Sequence, residues 1–294
     1  MPRRRLPAYS ADIVSDEIRH RAAVLGSPVA HSLSPALHRA GYAAAGLTDW
    51  SYERVECDAA ALPGLVAGSD PEWAGFSVTM PGKFSAAAMA DERSARVSAL
   101  GVANTLVRRD GGWLAENTDV DGLIGALRAA ACSSPKSVLI LGGGGTAAAV
   151  LAALAELGSS EVVIAGRRPA STAGAVELAG QLVLPIRAIG WEIGVIGEAA
   201  DAADLVVSTV PEGAADSLAG RLAGVPTLFD VLYHPWPTAL AAAGVPGRVT
   251  VTGLDMLLHQ AFRQFELITG VPGPVAAMRR GLLDASGTDL PLLV

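Results

Sequence analysis

The stretch Ser137–Ser171, SVLILGGGGTAAAVLAALAELGSSEVVIAGRRPAS, carries the strongest fold signal in the chain. A short apolar run leads into four glycines, then an alanine- and leucine-rich segment, then a second apolar run. Strand, glycine loop, helix and strand make one unit of a parallel sheet with helices on its faces. Gly142, Gly144 and Ala147 fit G-x-G-x-x-A between strand and helix. In such a turn the first glycine permits the bend and the second lets a phosphate approach the backbone. The small third residue lets helix pack on strand. The helix N-terminus then presents unpaired N–H groups and a positive dipole end to a pyrophosphate. Dinucleotide binding is the expectation; the other reading is a glycine-rich turn with no ligand. The second strand ends in AGRRPAS. An acidic residue there would bind ribose hydroxyls, whereas Arg167 and Arg168 suit a ribose phosphate, which points to NADP. Two surface arginines are the plainer alternative.

AADLVVSTVPEG and PTLFDVLYHPWPTAL read as further strands followed by loops. The chain before Asp119 has a different character. RAAVLGSPVAHSLSPALHRAGYAAAG reads as strand, turn and helix, with Ser34 as N-cap and Pro35 at the first helical position. DWSYERVEC and WAGFSVTMP read as strands, with a helical piece at LPGLVAG between them. SARVSALGVANTLVRRDGGWLAENTD reads as a helix end followed by a hairpin turning at Gly-Gly. VDGLIGALRAAA is a helix opening the second unit. In GLDMLLHQAFRQFELITG, residues Leu254, Leu257, Leu258, Ala261, Phe262 and Phe265 form one apolar helical stripe, with Gln260 beside it and Gly270 as its stop.

Composition sets the outer bounds. The 294 residues suffice for one large domain or two ordinary ones. The chain is 51% hydrophobic and 17% charged, so a large core is expected. A net charge of −7 argues against nucleic acid as a partner. The N-terminal MPRRRLPAYSADIVSDEIRH has four arginines but no apolar region, so it reads as a disordered tail and not a secretory signal. No uninterrupted apolar run is long enough to span a membrane. Cys57 and Cys132 lack metal spacing and read as free thiols in a reducing compartment, so no metal is expected and the location is cytoplasmic.

Five motifs then occur in a telling order: HSLSP at His31–Pro35, SVTMPGK at Ser77–Lys83, ANTL at Ala103–Leu106, ENTD at Glu116–Asp119 and GLDMLLHQAF at Gly253–Phe262. With the glycine loop between the last two, the chain strongly resembles the shikimate dehydrogenases over roughly residues 22–280. The resemblance implies a two-lobed α/β protein. Residues 1–118 with 254–294 would form a substrate-binding and catalytic lobe, and 119–253 a Rossmann-like NADP lobe. The C-terminal helices would return to the first lobe, as a monomer or homodimer. It also implies NADPH-dependent reduction of 3-dehydroshikimate to shikimate in aromatic amino-acid biosynthesis. By similarity, Ser32 and Ser34 hold the ring carboxylate. Thr79, Asn104 and Gln260 bind ring substituents, Tyr233 adds a contact, and Lys83 and Asp119 sit at the reacting oxygen. Gly142, Gly143, Gly144, Gly145, Thr146, Ala147, Arg167, Arg168, Ser208, Thr209 and Gly253 fall to the cofactor. Structural readings stand beside these: Ser34 or Asp119 as helix caps, Thr79 as a strand residue, Asn104 as a turn residue, Gln260 as a helix polar group, Tyr233 as packing. Three positions depart from the family pattern: Gly166 replaces the usual Asn, Arg168 a small polar residue, and Thr252 the usual Asp before the GLxML glycine.

Only two of the 22 Lys and Arg residues are lysines, Lys83 and Lys136. Hydride reduction of a ketone leaves an alkoxide that needs a proton. A guanidinium does not deprotonate in practice, whereas an ammonium can. A nearby carboxylate favours the charged ammonium, so Lys83 reads as proton donor and alkoxide stabiliser, with action as a base left open. A quinate or quinate/shikimate dehydrogenase is the nearest alternative, and a dinucleotide-sensing binding protein a remote one. Assays with shikimate and quinate, each with both nicotinamide cofactors, separate them.

Overall fold

The computed structural model describes residues 18–287. Residues 1–17 of the N-terminal stretch read as a tail lie outside them, but its end is ordered: the Arg19 and His20 N–H groups donate to the Asp49 carbonyl, and His20 opens the first strand. The first lobe runs β1 (His20–Gly26), α1 (Ser34–Ala45), β2 (Trp50–Glu56), α2 (Leu62–Ala67), β3 (Trp73–Val78), α3 (Lys83–Met89), β4 (Glu92–Arg93), α4 (Ala95–Leu100), β5 (Thr105–Arg109) and β6 (Gly112–Glu116). Its sheet has the order β2-β1-β3-β5-β6-β4. β1 pairs in parallel with β2 and β3, while β5 is antiparallel to β3 and β6.

The second lobe runs α5 (Asp119–Ala129), β7 (Ser137–Leu141), α6 (Gly145–Leu157), β8 (Glu161–Ala165), α7 (Ala173–Gln181), β9 (Ile186–Ile189), α8 (Ile193–Asp201), β10 (Leu205–Ser208), β11 (Thr227–Asp230), α9 (Ala239–Ala242) and β12 (Val249–Thr252). Its sheet order, β12-β11-β10-β7-β8-β9, is all parallel. Renumbered from β7, this is the doubly wound dinucleotide order, whose crevice lies beyond the carboxyl ends of β7 and β10. α10 (Gly253–Thr269) and α11 (Val275–Ser286) complete the chain.

Alternation along the central strands divides each core into two layers. Val138, Ile140, Val162 and Ile164 pack under α5, α6 and α7, while Leu139, Leu141, Val163 and Ala165 face α8 and the loops after β10. In the first lobe, Ala22 and Val24 meet Leu258, Phe265 and Ile268 of α10 and Met278 and Leu282 of α11. The apolar stripe of α10 therefore buries on the first sheet although the helix springs directly from the second.

Three local readings change. The hairpin turns at Asp110 and Gly111, because Arg109 pairs with Gly112 and puts Gly112 inside β6. Ser34 is the first residue of α1, the N-cap is Leu33, and the Ser34 N–H points back to Ser32 Oγ at 3.4 Å. Likewise Thr118, not Asp119, stands at the N-cap of α5. Thr252 caps α10 and forms a capping box with Asp255, so a hydroxyl performs the cap.

Candidate active site

The carboxyl end of the second sheet faces the first lobe across a cavity of about 310 Å³. Ser32, Ser34, Thr79, Lys83, Asp119, Tyr233 and Gln260 all line it, and so do Thr146 and Gly253 from the cofactor side. Elements from four parts of the chain supply these groups. The loop after β1 brings the serines, and the turn after β3 brings Thr79 and Lys83. The first residue of α5 is Asp119, and the second turn of α10 carries Gln260.

The close packing of α5 on α10 sets the geometry. A Cβ on Gly122 would lie 2.7 Å from the Met256 carbonyl oxygen, so only glycine allows this approach. Lys83 Nζ donates to Asp119 Oδ2 at 2.5 Å. Asn104 Nδ2 shares its two hydrogens among Asp119 Oδ1 at 3.0 Å, Gln260 Oε1 at 2.8 Å and Thr118 Oγ1 at 3.0 Å. Asn104 is only 2% exposed and stands behind Asp119 and Gln260 instead of in the cavity wall. Asp119, buried at the amino end of α5, also gains from the helix dipole.

Behind this wall lies a buried polar chain that the sequence reading did not single out. The Tyr52 hydroxyl donates to Ser77 Oγ at 2.6 Å, and Ser77 donates to Gln264 Oε1 at 2.8 Å. Gln264 Nε2 donates to Thr105 Oγ1 at 3.0 Å and the Asn104 carbonyl at 3.2 Å. Thr105 in turn donates to Asn104 Oδ1 at 2.9 Å. Gln264 and Ser77 also reach the cavity wall. The available signal was spacing: Gln264 follows Gln260 by one helical turn, so the two share a face. Burial pushes the phenols of Tyr52 and Tyr233 up, so both remain neutral donors.

The glycine loop fits a dinucleotide phosphate. Gly142 has φ +94°, a conformation that favours glycine. A Cβ on Gly143 would strike the Ser171 carbonyl oxygen at 2.2 Å, so the close backbone approach falls there. Nothing lies within 4 Å of the Cβ positions of Gly144 and Gly145, which leaves open space at the amino end of α6. Ala147 is fully buried where α6 meets the sheet. Thr209 Oγ1 braces the loop by donating to the Leu141 carbonyl at 2.9 Å. Ser208 is buried beneath the loop, beside Asp230. Arg167 and Arg168 are exposed at the end of β8, which the loop joins through Gly142 N–H and the Ala165 carbonyl. Gly166 has no room for a larger side chain, since its Cβ would meet Thr172 Cγ2 at 2.5 Å. Among the described residues, no group of His, Cys, Asp and Glu is placed to hold a metal ion. None of the described helices is long and apolar enough to cross a membrane.

A phosphate cradle and a lysine–carboxylate pair on one interlobe cleft define a dehydrogenase that uses a nicotinamide dinucleotide. Residues 24–106 match the family model of the shikimate dehydrogenase substrate binding domain, and 253–283 that of the shikimate 5'-dehydrogenase C-terminal domain. The shikimate dehydrogenase (NADP(+)) of Thermosynechococcus vestitus is 34% identical over 278 residues, covering 90% of this chain and 96% of the relative. The crystal structure of Mycobacterium tuberculosis shikimate dehydrogenase superposes with a TM-score of 0.86 at 49% identity, covering 90% of this chain and 99% of that one. The Thermus thermophilus shikimate 5-dehydrogenase in complex with NADP(H) and shikimate gives 0.78 at 32% identity, covering 90% and 99%. The chain belongs to the shikimate dehydrogenase family, NADP-dependent oxidoreductases that interconvert shikimate and 3-dehydroshikimate.

Proposed function

We propose that this chain reduces 3-dehydroshikimate to shikimate with NADPH, reversibly, and that Lys83 and Asp119 manage the proton at the reacting oxygen. The observation that carries this assignment is the Lys83–Asp119 contact at 2.5 Å on the cavity wall, braced by Asn104. NADPH, when bound, supplies the hydride. The developing alkoxide would sit against the Lys83 ammonium, which stabilises its charge and delivers a proton. Asp119 holds the ammonium in place, and Asn104 holds Asp119. Ser32 and Ser34, at the amino end of α1, would anchor the ring carboxylate. Thr79, Gln260 and Tyr233 would bind ring substituents from the walls they occupy. A direct role for Asn104 requires its amide to exchange one of its present partners for a ring hydroxyl.

The residues that would hold NADPH are Gly142–Ala147 for the pyrophosphate and Arg167 with Arg168 for the ribose phosphate. Thr209, Ser208 and Gly253 support the same rim. The substrate lobe would comprise residues up to 118 together with those from 254 onward, and the NADP lobe 119–253. The burial of α10 on the first sheet supports that division, as does the burial of Val120, Leu123 and Leu127 of α5 against the second. Two free thiols, Cys57 and Cys132, support a cytoplasmic protein, with monomer or homodimer to be read by light scattering.

Absorbance assays with shikimate and quinate, each with NADP+ and NAD+, test the assignment. Shikimate with NADP+ is expected to dominate. Comparable turnover of quinate would reassign the chain to the quinate enzymes on the same scaffold, and no turnover at all would leave a dinucleotide-binding protein.

A further inference from the structure

The loop that carries Ser32 and Ser34 is held from outside by a single edge strand. Tyr52, Arg54 and Glu56 occupy alternate positions of β2 and so share one face. The Tyr52 hydroxyl lies beside the Ser34 hydroxyl. Arg54 donates Nε and Nη2 to the Ser32 carbonyl at 2.9 and 2.6 Å. The Glu56 carboxylate accepts the Val29 N–H at 3.1 Å. An exposed arginine loses rotamer freedom when fixed in this way, and two donors on one carbonyl offset that loss.

A second observation concerns the space outside the loop. A cavity of about 860 Å³ opens beside the substrate cavity and shares His31, Val231 and Tyr233 with it. Arg54 is the charged group on its wall, and no Asp or Glu lines it among the described residues. In a protein of net charge −7 this is a local exception. A cleft lined by one sign of charge draws in ligands of the opposite sign.

We propose that Arg54 is a positioning residue that makes the site selective for a carboxylate-bearing substrate. The proposal rests on the reading of Ser32 and Ser34 as the carboxylate anchor. The guanidinium fixes the Ser32 peptide from outside the substrate cavity by binding its carbonyl oxygen through two donors. Its charge also draws the substrate anion through the vestibule. Neither action involves the reacting oxygen, so the effect belongs in KM and in the choice between an acid and a neutral analogue.

The test compares shikimate with its methyl ester in wild type, Arg54→Gln and Arg54→Lys. Arg54→Gln is expected to lower the acid-to-ester ratio of kcat/KM by about tenfold, the scale of a lost charge-assisted hydrogen bond. The loss should lie in the KM of the acid, with NADPH affinity, read by nicotinamide fluorescence, unchanged. Arg54→Lys keeps the charge but loses the paired donors, so its KM for the acid should fall between those of wild type and Arg54→Gln. Equal losses on acid and ester would show a role in folding alone and overturn the proposal. An unchanged ratio, or a lysine variant as poor as the glutamine one, would overturn it too. A wild type that ignores shikimate would instead remove the underlying assignment.

Discussion

Lys83 Nζ lies 2.5 Å from Asp119 Oδ2, although the two residues are 36 positions apart and each begins a different helix. Their exposures are unequal: the lysine side chain is 27% accessible and the carboxylate 8%. The buried partner therefore fixes the accessible one, which suits a donor that must meet a substrate. Lys83→Ala is expected to lower kcat at least ~100-fold, the usual scale for a positioned acid–base group, with a smaller change in KM. Lys83→Arg should not restore the rate, because a guanidinium keeps its proton. Asp119→Asn should lose kcat similarly, and the double variant should be no worse than the worse single, since the two act as a unit. Steady-state kinetics decide this, and a Lys83→Arg enzyme of near-native kcat would remove the proton-transfer role.

Cofactor choice rests on Arg167. It is exposed at the end of β8, beside the loop whose open face lies over Gly144 and Gly145. A charge-assisted bond to a phosphate contributes roughly 1.5–3 kcal/mol. Arg167→Ala should therefore raise the KM for NADPH by about one to two decades and leave the use of NADH nearly unchanged. Equal kcat/KM for the two cofactors in the wild type would refute the phosphate reading.

The second lobe was legible because its signals are local: a glycine loop between a strand and a helix admits few folds. The lysine and the aspartate were legible as parts of motifs, yet only the fold shows that Asn104 stands behind them. Gln264 and Ser77 escaped notice because burial, not residue type, makes them members of a network. Each lies within an ordinary element, and their contact spans 187 positions. The Ser34–Pro35 pair looked like a helix start and is one, but the helix begins one residue early and Ser32 receives the free N–H. Caps depend on a backbone turn that side-chain identity does not specify alone.

Folding stability should depend on His38. Its ring is fully buried, stacked on Tyr52 with centroids 4.2 Å apart, and neither nitrogen has a hydrogen-bond partner. Burial pushes its pKa from 6.5 down to about 3; the Gln264 amide opposes this only weakly, being near the ring but outside bonding geometry. In the unfolded chain the ring titrates at its ordinary value. Below that value the unfolded state gains a proton that the native state refuses, so stability is present above pH 6.5 and is lost as pH falls toward 3. Between about pH 7 and 5 the loss from this group is roughly 2 kcal/mol. Urea unfolding of wild type and His38→Leu at both pH values measures it. The variant should lack this increment, and parallel pH profiles would disprove the buried neutral ring.

The choice of ring acid depends on Ser32 and Ser34. Ser34 is 5% exposed at the first position of α1, and the Ser32 hydroxyl accepts its N–H at 3.4 Å. Both hydroxyls line the cavity, where the amino end of α1 adds a favourable potential for an anion. Quinate has a saturated ring and an extra hydroxyl on the carbon that bears the carboxylate. With Ser34 packed beside Tyr52, that hydroxyl would meet a wall already committed to internal hydrogen bonds. An unpaired buried hydroxyl costs about 1–3 kcal/mol, and displacement of the ring from its reactive position adds to this. The kcat/KM for shikimate should therefore exceed that for quinate at least ~100-fold. Ser32→Ala and Ser34→Ala should each raise the shikimate KM more than they lower kcat, because the carboxylate is bound alike in ground and transition states. Serine variants with an unchanged KM would move the carboxylate anchor out of this loop.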